Sequence, residues 1–266
     1  MPVIDQLFAS LRAQRRKALM PFVTAGDPDL EFTAAVLAEL VARGSSLCEV
    51  GIPYSDPIAD GPVIQASYTR ALAHKIKLAQ ILEMLAAVTP RLTVPTVTMV
   101  SYAIILRHGL ARYVADAQRA GVAGAIVPDL PVEETAELSA ICRKADFSLV
   151  QLVTPLTPRD RALKIAASST GFLYYVSVTG ITGERTELPQ SLIDSVGWLR
   201  EQTPLPICIG FGISTPEHVK KLAPAADGLI VGSAVVRRMA QASTKPRDAV
   251  LRDVGDYVES LIKALA

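Results

Sequence analysis

The sequence predicts an α/β protein in which eight parallel strands and their helices close into a (β/α)8 barrel. Short apolar runs alternate with longer segments of helical period, there are eight such runs, and the chain has 266 residues. Strands that alternate with helices form a parallel sheet. Eight strand–helix units in about 250 residues have the size of a closed barrel.

The strands are expected where apolar runs end at turn residues. These runs are Leu19–Val23, Leu47–Gly51, Thr96–Val100, Gly124–Val127, Leu149–Val153, Phe172–Ser177, Ile207–Gly210 and Gly228–Val231. The segments of helical period between them are Glu31–Arg43, Ala79–Thr89, Gly109–Ala120, Glu133–Arg143, Asp160–Ala166, Leu192–Gln202 and Glu217–Leu222.

Three further helices are expected outside the eight repeats. An amphipathic helix lies within Met1–Lys17, a short extra helix follows the last strand at Ala234–Met239, and a terminal helix lies around Ala249–Ala264. No linker rich in proline, glycine or serine divides the chain, so we expect residues 1–266 to form one barrel domain.

An open doubly wound sheet is the alternative fold. Its dinucleotide-binding form carries a Gly-x-Gly-x-x-Gly motif after an early strand. The nearest candidate here, Gly210-Phe211-Gly212, lies late in the chain and has Thr215 where the third glycine belongs. The open sheet remains possible but fits the strand count and this motif less well.

Composition excludes several functional classes. The chain has 27 basic and 26 acidic residues, a balance that predicts no binding to nucleic acid or to an anionic membrane. No stretch approaches the roughly 18 apolar residues of a membrane span, and the N-terminus has no apolar block typical of a signal peptide. Cys48, Cys142 and Cys208 are widely spaced, as in proteins of a reducing compartment. We therefore expect a cytoplasmic protein.

Glu49 is the most informative residue because it lies in an apolar run. An unpaired carboxylate in an apolar site costs several kcal/mol, so Glu49 pairs with a cation, stays protonated or transfers protons. Strand alternation places its side chain opposite those of Cys48 and Val50. If those two face the helices, Glu49 faces the barrel mouth, where burial would raise its pKa. The predicted strands contain no Lys or Arg, which favours a catalytic role.

Asp60 follows Glu49 across a proline-rich loop and precedes Gly61. An aspartate before a glycine is most often a turn residue, so these residues alone do not decide between a turn and a second functional carboxylate. The histidines lie in or beside predicted helices, which argues against a Ser-His-Asp triad or a histidine-rich metal site: His74, His108 and His218.

Glycines follow the last three strands and suggest an anion site. Glycine lets the backbone approach a ligand closely, and a helix that begins at Ser233 would direct free N–H groups toward it. The loops after strands seven and eight, with a short extra helix, form a phosphate site in many barrels. Tight turns between strands and helices are the simpler explanation for each glycine taken alone.

Four runs of the sequence closely resemble the tryptophan synthase alpha chain family. They are Pro21–Pro28, Glu49–Gln65, Pro128–Glu134 and Gly210–Ile213. The resemblance implies a barrel lyase that cleaves indole-3-glycerol phosphate to indole and glyceraldehyde 3-phosphate. It implies that Glu49 is the general acid and base, and that Asp60 holds the indole N–H.

The same resemblance implies which residues bind substrate. The indole pocket would be lined by Phe22, Tyr102, Val127, Tyr174 and Ile230. The phosphate would contact Gly183, Gly212, Gly232 and Ser233, and Thr182 would close over Asp60. The family's partner is a beta chain that carries pyridoxal phosphate, in an α2β2 complex. No cofactor is expected in this chain itself. A stand-alone lyase and an inactive barrel that only activates a partner are the alternatives.

Overall fold

The computed structural model describes residues 1–57, 60–177, 190–210 and 212–265, with backbone only for 190 and 191. Its strands are β1 Ala18–Thr24, β2 Cys48–Gly51, β3 Thr96–Met99, β4 Val122–Ile126, β5 Ser148–Val150, β6 Leu152–Val153, β7 Leu173–Val176, β8 Ile207–Gly210 and β9 Gly228–Val231.

The helices lie mostly where their period predicts them. They are α1 Val3–Ala13, α2 Leu30–Ala42, α3 Pro62–Ala73, α4 Leu78–Val88, α5 Tyr102–His108, α6 Leu110–Arg119, α7 Ala136–Lys144, α8 Arg159–Ser168, α9 Gln190–Gln202, α10 Pro216–Leu222, α11 Ser233–Met239 and α12 Arg247–Lys263. Short 3-10 turns lie at Thr89–Arg91, Val132–Glu134 and Ala240–Ser243.

The strands form one parallel sheet in the order β5-β4-β3-β2-β1-β9-β8-β7-β6. The two ends of this order, β5 and β6, are the halves of the predicted fifth strand, separated by Gln151. The nine strands therefore occupy eight positions around a nearly closed barrel, and the predicted TIM-barrel class is confirmed. The open doubly wound sheet is wrong.

Alternate residues of each strand enter two different apolar clusters. The interior cluster fills the barrel and includes Phe22, Val97, Tyr174 and Ile230. The outer cluster, which includes Val23, Cys48 and Val50, lies between the strands and the helices. Because side chains alternate along a strand, this division shows which residues face the barrel axis.

Helix α1 covers the N-terminal end of the barrel. Its residues Ile4, Phe8 and Leu11 are buried in the interior cluster. The ring of Phe8 lies 5.8 Å from that of Phe172, which immediately precedes β7. The open end of the barrel is therefore at the carboxyl ends of the strands, where barrel enzymes place their active sites.

Two helices were not expected from the sequence, α3 and α5. In α3 the buried face is made by Ile64, Ser67, Tyr68 and Ala71, and two of these four are polar. The predicted helix Glu133–Arg143 is also interrupted, since a 3-10 turn ends at Glu134 and α7 begins at Ala136. Within the described part of the chain, no helix is both long and apolar enough to cross a membrane.

Candidate active site

Glu49 points into the barrel from the middle of β2. Its register partners are Phe22 on β1 and Val97 on β3, both members of the interior cluster. Its chain neighbours Cys48 and Val50 belong to the outer cluster. The prediction that alternation turns Glu49 away from the helices is therefore confirmed.

The Glu49 carboxyl group is buried without a partner. The side chain is 1% exposed, and neither oxygen has a hydrogen-bond partner among the residues that the structure describes. Burial, with a smaller contribution from the charge of Asp60, raises the pKa of Glu49 to about 8. The group is therefore mostly protonated at neutral pH and can both give and take a proton near pH 7.

Asp60 lies at the end of the loop that follows β2, just before α3. Asp60 is 8% exposed, and burial raises the pKa of its carboxyl group to about 6. The backbone around it is held from α3, because Gln65 Nε2 donates to the carbonyl oxygens of Pro57 and Asp60, at 3.2 and 2.8 Å. The two carboxyl groups thus have different pKa values, which allows one to be protonated while the other is charged.

An ion pair joins α3 to the loop after β1. The Arg70 guanidinium donates from Nε and Nη2 to the two oxygens of Asp27, at 2.9 and 2.6 Å. Asp27 is 1% exposed, so this bidentate pair neutralises a buried carboxylate. It leaves Asp27 engaged in positioning α3, the helix that follows Asp60.

Aromatic and aliphatic side chains surround Glu49 inside the barrel. Of the predicted indole-pocket residues, Phe22, Tyr174 and Ile230 are buried members of the interior cluster. Glu49 and Asp60 both contribute, after burial, to raising the pKa of the Tyr174 hydroxyl. Tyr174 is therefore close enough to both carboxyl groups to be influenced by their charges.

The two other predicted pocket residues contact the outer cluster. Val127, directly after β4, is buried in the outer cluster, and Tyr102, the first residue of α5, packs against that cluster. Asp129 accepts hydrogen bonds from Ser101 Oγ at 2.6 Å and from the Tyr102 backbone N–H at 2.7 Å. It therefore caps α5, and the pocket roles of Tyr102 and Val127 stay predictions.

The predicted phosphate residues lie at the open end after β8 and β9. Gly212 is exposed and has a φ of 76°, a conformation that glycine adopts most readily. Gly232 precedes α11 and the exposed Ser233 is its first residue. Thr182 and Gly183 lie outside the described residues.

Tyr68, which the sequence prediction missed, also reaches this site. It lies on α3, is 1% exposed and belongs to the interior cluster. Its pKa is raised well above the usual value by burial first and then by the charges of Asp60, Tyr54 and Glu49. The sequence carries no signal for it, because the buried face of α3 includes Ser67 and lacks a clear apolar stripe.

The described residues contain no group of three or more His, Cys, Asp or Glu side chains that could hold a metal ion. His74 is exposed at the end of α3. His108, at the end of α5, pairs with Asp116 at 2.7 Å. His218 is partly buried on α10, the helix between β8 and β9.

Comparison with known proteins identifies the family to which this chain belongs. Residues 8–264 match the family model described as tryptophan synthase alpha chain. The chain belongs to the tryptophan synthase alpha chain family. A tryptophan synthase alpha chain of Rhodopirellula baltica is 58% identical over 275 residues, covering 100% of this chain and 99% of that protein. One from Prochlorococcus marinus is 43% identical, over 97% of this chain and 94% of its own.

Experimental structures of this family share the barrel. Tryptophan synthase subunit alpha from Legionella pneumophila superimposes with a TM-score of 0.90 at 34% identity, over 100% of this chain and 98% of that one. A chain of M. tuberculosis tryptophan synthase gives 0.88 at 27% identity over the full length of both. The protein is therefore a carbon–carbon lyase of L-tryptophan biosynthesis, and it cleaves indole-3-glycerol phosphate to indole and glyceraldehyde 3-phosphate.

Proposed function

We propose that Glu49 and Asp60 carry out this cleavage as a proton-transferring acid and a charge-stabilising carboxylate. The observation that supports this most directly is the Glu49 carboxyl group, buried with no partner in the described chain and influenced by the charge of Asp60. A structural glutamate at this depth would be paired, because an unpaired one weakens the fold.

The reaction breaks the bond between C3 of the indole ring and the first carbon of the glycerol chain. Protonated Glu49 donates its proton to C3, and the ring becomes a cation whose N–H donates a hydrogen bond to the Asp60 carboxylate. The Glu49 carboxylate then removes the proton of the hydroxyl group on the first glycerol carbon, the one bonded to C3. The electrons of the broken bond restore the indole, the aldehyde forms, and Glu49 is protonated again.

The pKa values of the two groups suit these roles. At pH 7, Glu49, with a pKa of about 8, mostly holds the proton that the first step needs. Asp60, with a pKa of about 6, is mostly ionised and can face the positive ring. Both carboxyl groups lie away from bulk water, where their interaction with a developing charge is strongest.

Substrate binding divides between the two sides of the pocket. Phe22, Tyr174 and Ile230 offer apolar surface to the indole ring inside the barrel, and by resemblance Tyr102 and Val127 border the same ring. The resemblance places the phosphate on Gly183, Gly212, Gly232 and Ser233, and Thr182 over Asp60. A phosphate held away from the breaking bond supplies binding energy that orients the reacting atoms.

We propose that the chain acts with a tryptophan synthase beta chain in an α2β2 complex. The proposed partner surface is at the open end of the barrel and includes the Pro53–Asp60 loop, in whose described part Asp56 is exposed. Pyridoxal phosphate would belong to the beta chain, and this chain would need no cofactor. A cytoplasmic location fits its free cysteines Cys48, Cys142 and Cys208.

A stand-alone lyase that releases indole is the second candidate. Steady-state cleavage by the isolated chain, with and without a beta chain, separates the two. Strong activation by the beta chain supports the complex, whereas full activity of the isolated chain supports the stand-alone enzyme.

Glu49→Gln tests the proposed chemistry. This variant keeps the shape of the side chain but cannot give or take a proton, so we expect kcat to fall by at least about 100-fold, the usual contribution of a general acid or base. Glu83→Gln makes the same change at an exposed position on α4 and should leave kcat unchanged. A folded Glu49→Gln enzyme with near-normal kcat would eliminate Glu49 as the proton carrier.

A further inference from the structure

Tyr68 brings a second polar group with no partner into the barrel. Its hydroxyl oxygen is buried and has no hydrogen-bond partner among the described residues, as is the case for the Glu49 carboxyl oxygens. A buried hydroxyl without a partner costs about 1–3 kcal/mol. The ring itself is well packed, 5.6 Å from the ring of Tyr54. The packing accounts for the ring, but no group among the described residues accounts for the hydroxyl.

The hydroxyl lies above Glu49 on the same face of β2. A Cβ placed on Gly51 would overlap the ring of Phe22 and come within 2.8 Å of Tyr68 Oη, so the Phe22 ring and the hydroxyl together occupy the space where a side chain of residue 51 would be. Glu49 and Gly51 are two residues apart, which puts both on the inner face, about 7 Å apart along the strand. Tyr68 Oη is therefore near the carboxyl end of β2, above the proposed proton carrier.

The chemistry of the substrate limits what this hydroxyl can bind. The high pKa of Tyr68 keeps it protonated, and it therefore offers a neutral O–H donor. The indole ring has an N–H donor and no oxygen to accept a hydrogen bond. The phosphate is placed by our proposal at the loops after β8 and β9. The hydroxyl oxygens of the glycerol chain lie between these two parts of the substrate.

We propose that Tyr68 is a further substrate-binding residue, whose hydroxyl donates a hydrogen bond to a hydroxyl oxygen of the glycerol chain. This inference rests on the proposed roles of Glu49 and the phosphate loops. The contact holds the carbon next to the breaking bond on the side of the pocket from which Glu49 acts. Helix α3, which carries Tyr68, is tied to the loop after β1 by the ion pair of Arg70 and Asp27.

The test compares Tyr68→Phe with Tyr113→Phe. Both changes remove a buried tyrosine hydroxyl, but that of Tyr113 lies outside the barrel interior and is 2.7 Å from Thr98 Oγ1. Two ligands are used: indole-3-glycerol phosphate, measured by kcat and KM, and indole-3-propyl phosphate, measured as an inhibitor. The propyl compound keeps the ring and the phosphate but has no glycerol hydroxyls.

For Tyr68→Phe we expect kcat/KM for the glycerol substrate to fall about fivefold, the effect of one lost neutral hydrogen bond. The inhibition constant of the propyl compound should not change. Urea unfolding should show Tyr68→Phe at least as stable as the natural chain, because the lost hydroxyl has no partner. Tyr113→Phe should be less stable and keep both ligand constants.

Three results would overturn the inference. They are an unchanged kcat/KM in Tyr68→Phe, an equal weakening of both ligands, and a shift of the acidic limb of the pH profile with no change in ligand preference. The last result would indicate that the Tyr68 hydroxyl donates its hydrogen bond to Asp60 instead of to the substrate. Failure of the proposed chemistry is read separately, from turnover that survives in Glu49→Gln.

Discussion

Arg70 and Asp27 form a bidentate ion pair that holds α3 against the loop after β1, with the Asp27 carboxylate buried and the Arg70 side chain 39% exposed. Helix α3 begins two residues after Asp60 and carries Tyr68. This single ion pair therefore helps to position both Asp60 and Tyr68.

Arg70→Ala should lower both stability and activity. The change leaves Asp27 buried without its cation, and we expect the free energy of unfolding to fall by roughly 2 kcal/mol, a value reduced by the partial exposure of the pair. Urea unfolding and kcat/KM measure the two effects. Arg252→Ala, at an exposed position on α12, is the control. A folded Arg70→Ala enzyme with normal stability would show that the pair is dispensable.

Activity should follow a bell-shaped pH profile. Cleavage needs protonated Glu49 and ionised Asp60, so kcat/KM should rise through about pH 6 and fall through about pH 8. The charge of Asp60 also raises the pKa of Glu49. In Asp60→Asn we therefore expect kcat to fall by orders of magnitude and the residual alkaline limb to move to lower pH. An alkaline limb that stays in place would contradict the coupling.

Glu49→Gln should stabilise the chain more as the pH rises. The folded pKa of Glu49, about 8, exceeds its ordinary value of 4.5, so the folded state holds a proton that the unfolded state has lost. Natural stability therefore declines between these two pH values, by on the order of a few kcal/mol, and the glutamine variant escapes that loss. Unfolding at pH 5 and pH 9 measures the difference. Glu83→Gln, at an exposed position on α4, is the control for the substitution itself.

Substitution of Gly212 should weaken phosphate binding. Gly212 has a positive φ of 76°, so Gly212→Ala strains the loop after β8 and should raise KM several-fold. Gly44, with a φ of 97° after α2, is the matched control, since Gly44→Ala brings similar strain far from the open end. Inorganic phosphate should compete weakly with substrate for the natural chain. Equal KM values for the two variants would remove Gly212 from the phosphate site.

The sequence predicts the ends of the strands to within two residues. Strands such as β2 and β9 are buried along their whole length, so they appear in the sequence as short apolar runs. Strand alternation placed Glu49 opposite Cys48 and Val50, and its inward direction depended on those two facing the helices, as the structure shows. Helix α3 could not be predicted, since its buried face includes Ser67 and Tyr68 and so lacks a clear apolar stripe.

The role of Asp60, the second carboxylate, could not be predicted from residue patterns. The backbone of Asp60 is held by Gln65, and the helix that follows it is held by the Arg70 ion pair, and both are contacts of the folded chain. Only the family resemblance gave Asp60 a role. Tyr68 escaped both routes, because its hydroxyl has meaning only beside Gly51 and Glu49.

Helix α1 has a consequence for how the products depart. Ile4, Phe8 and Leu11 close the N-terminal end of the barrel. Indole and glyceraldehyde 3-phosphate released inside the barrel would therefore leave at the carboxyl ends of the strands, the same end at which the substrate enters.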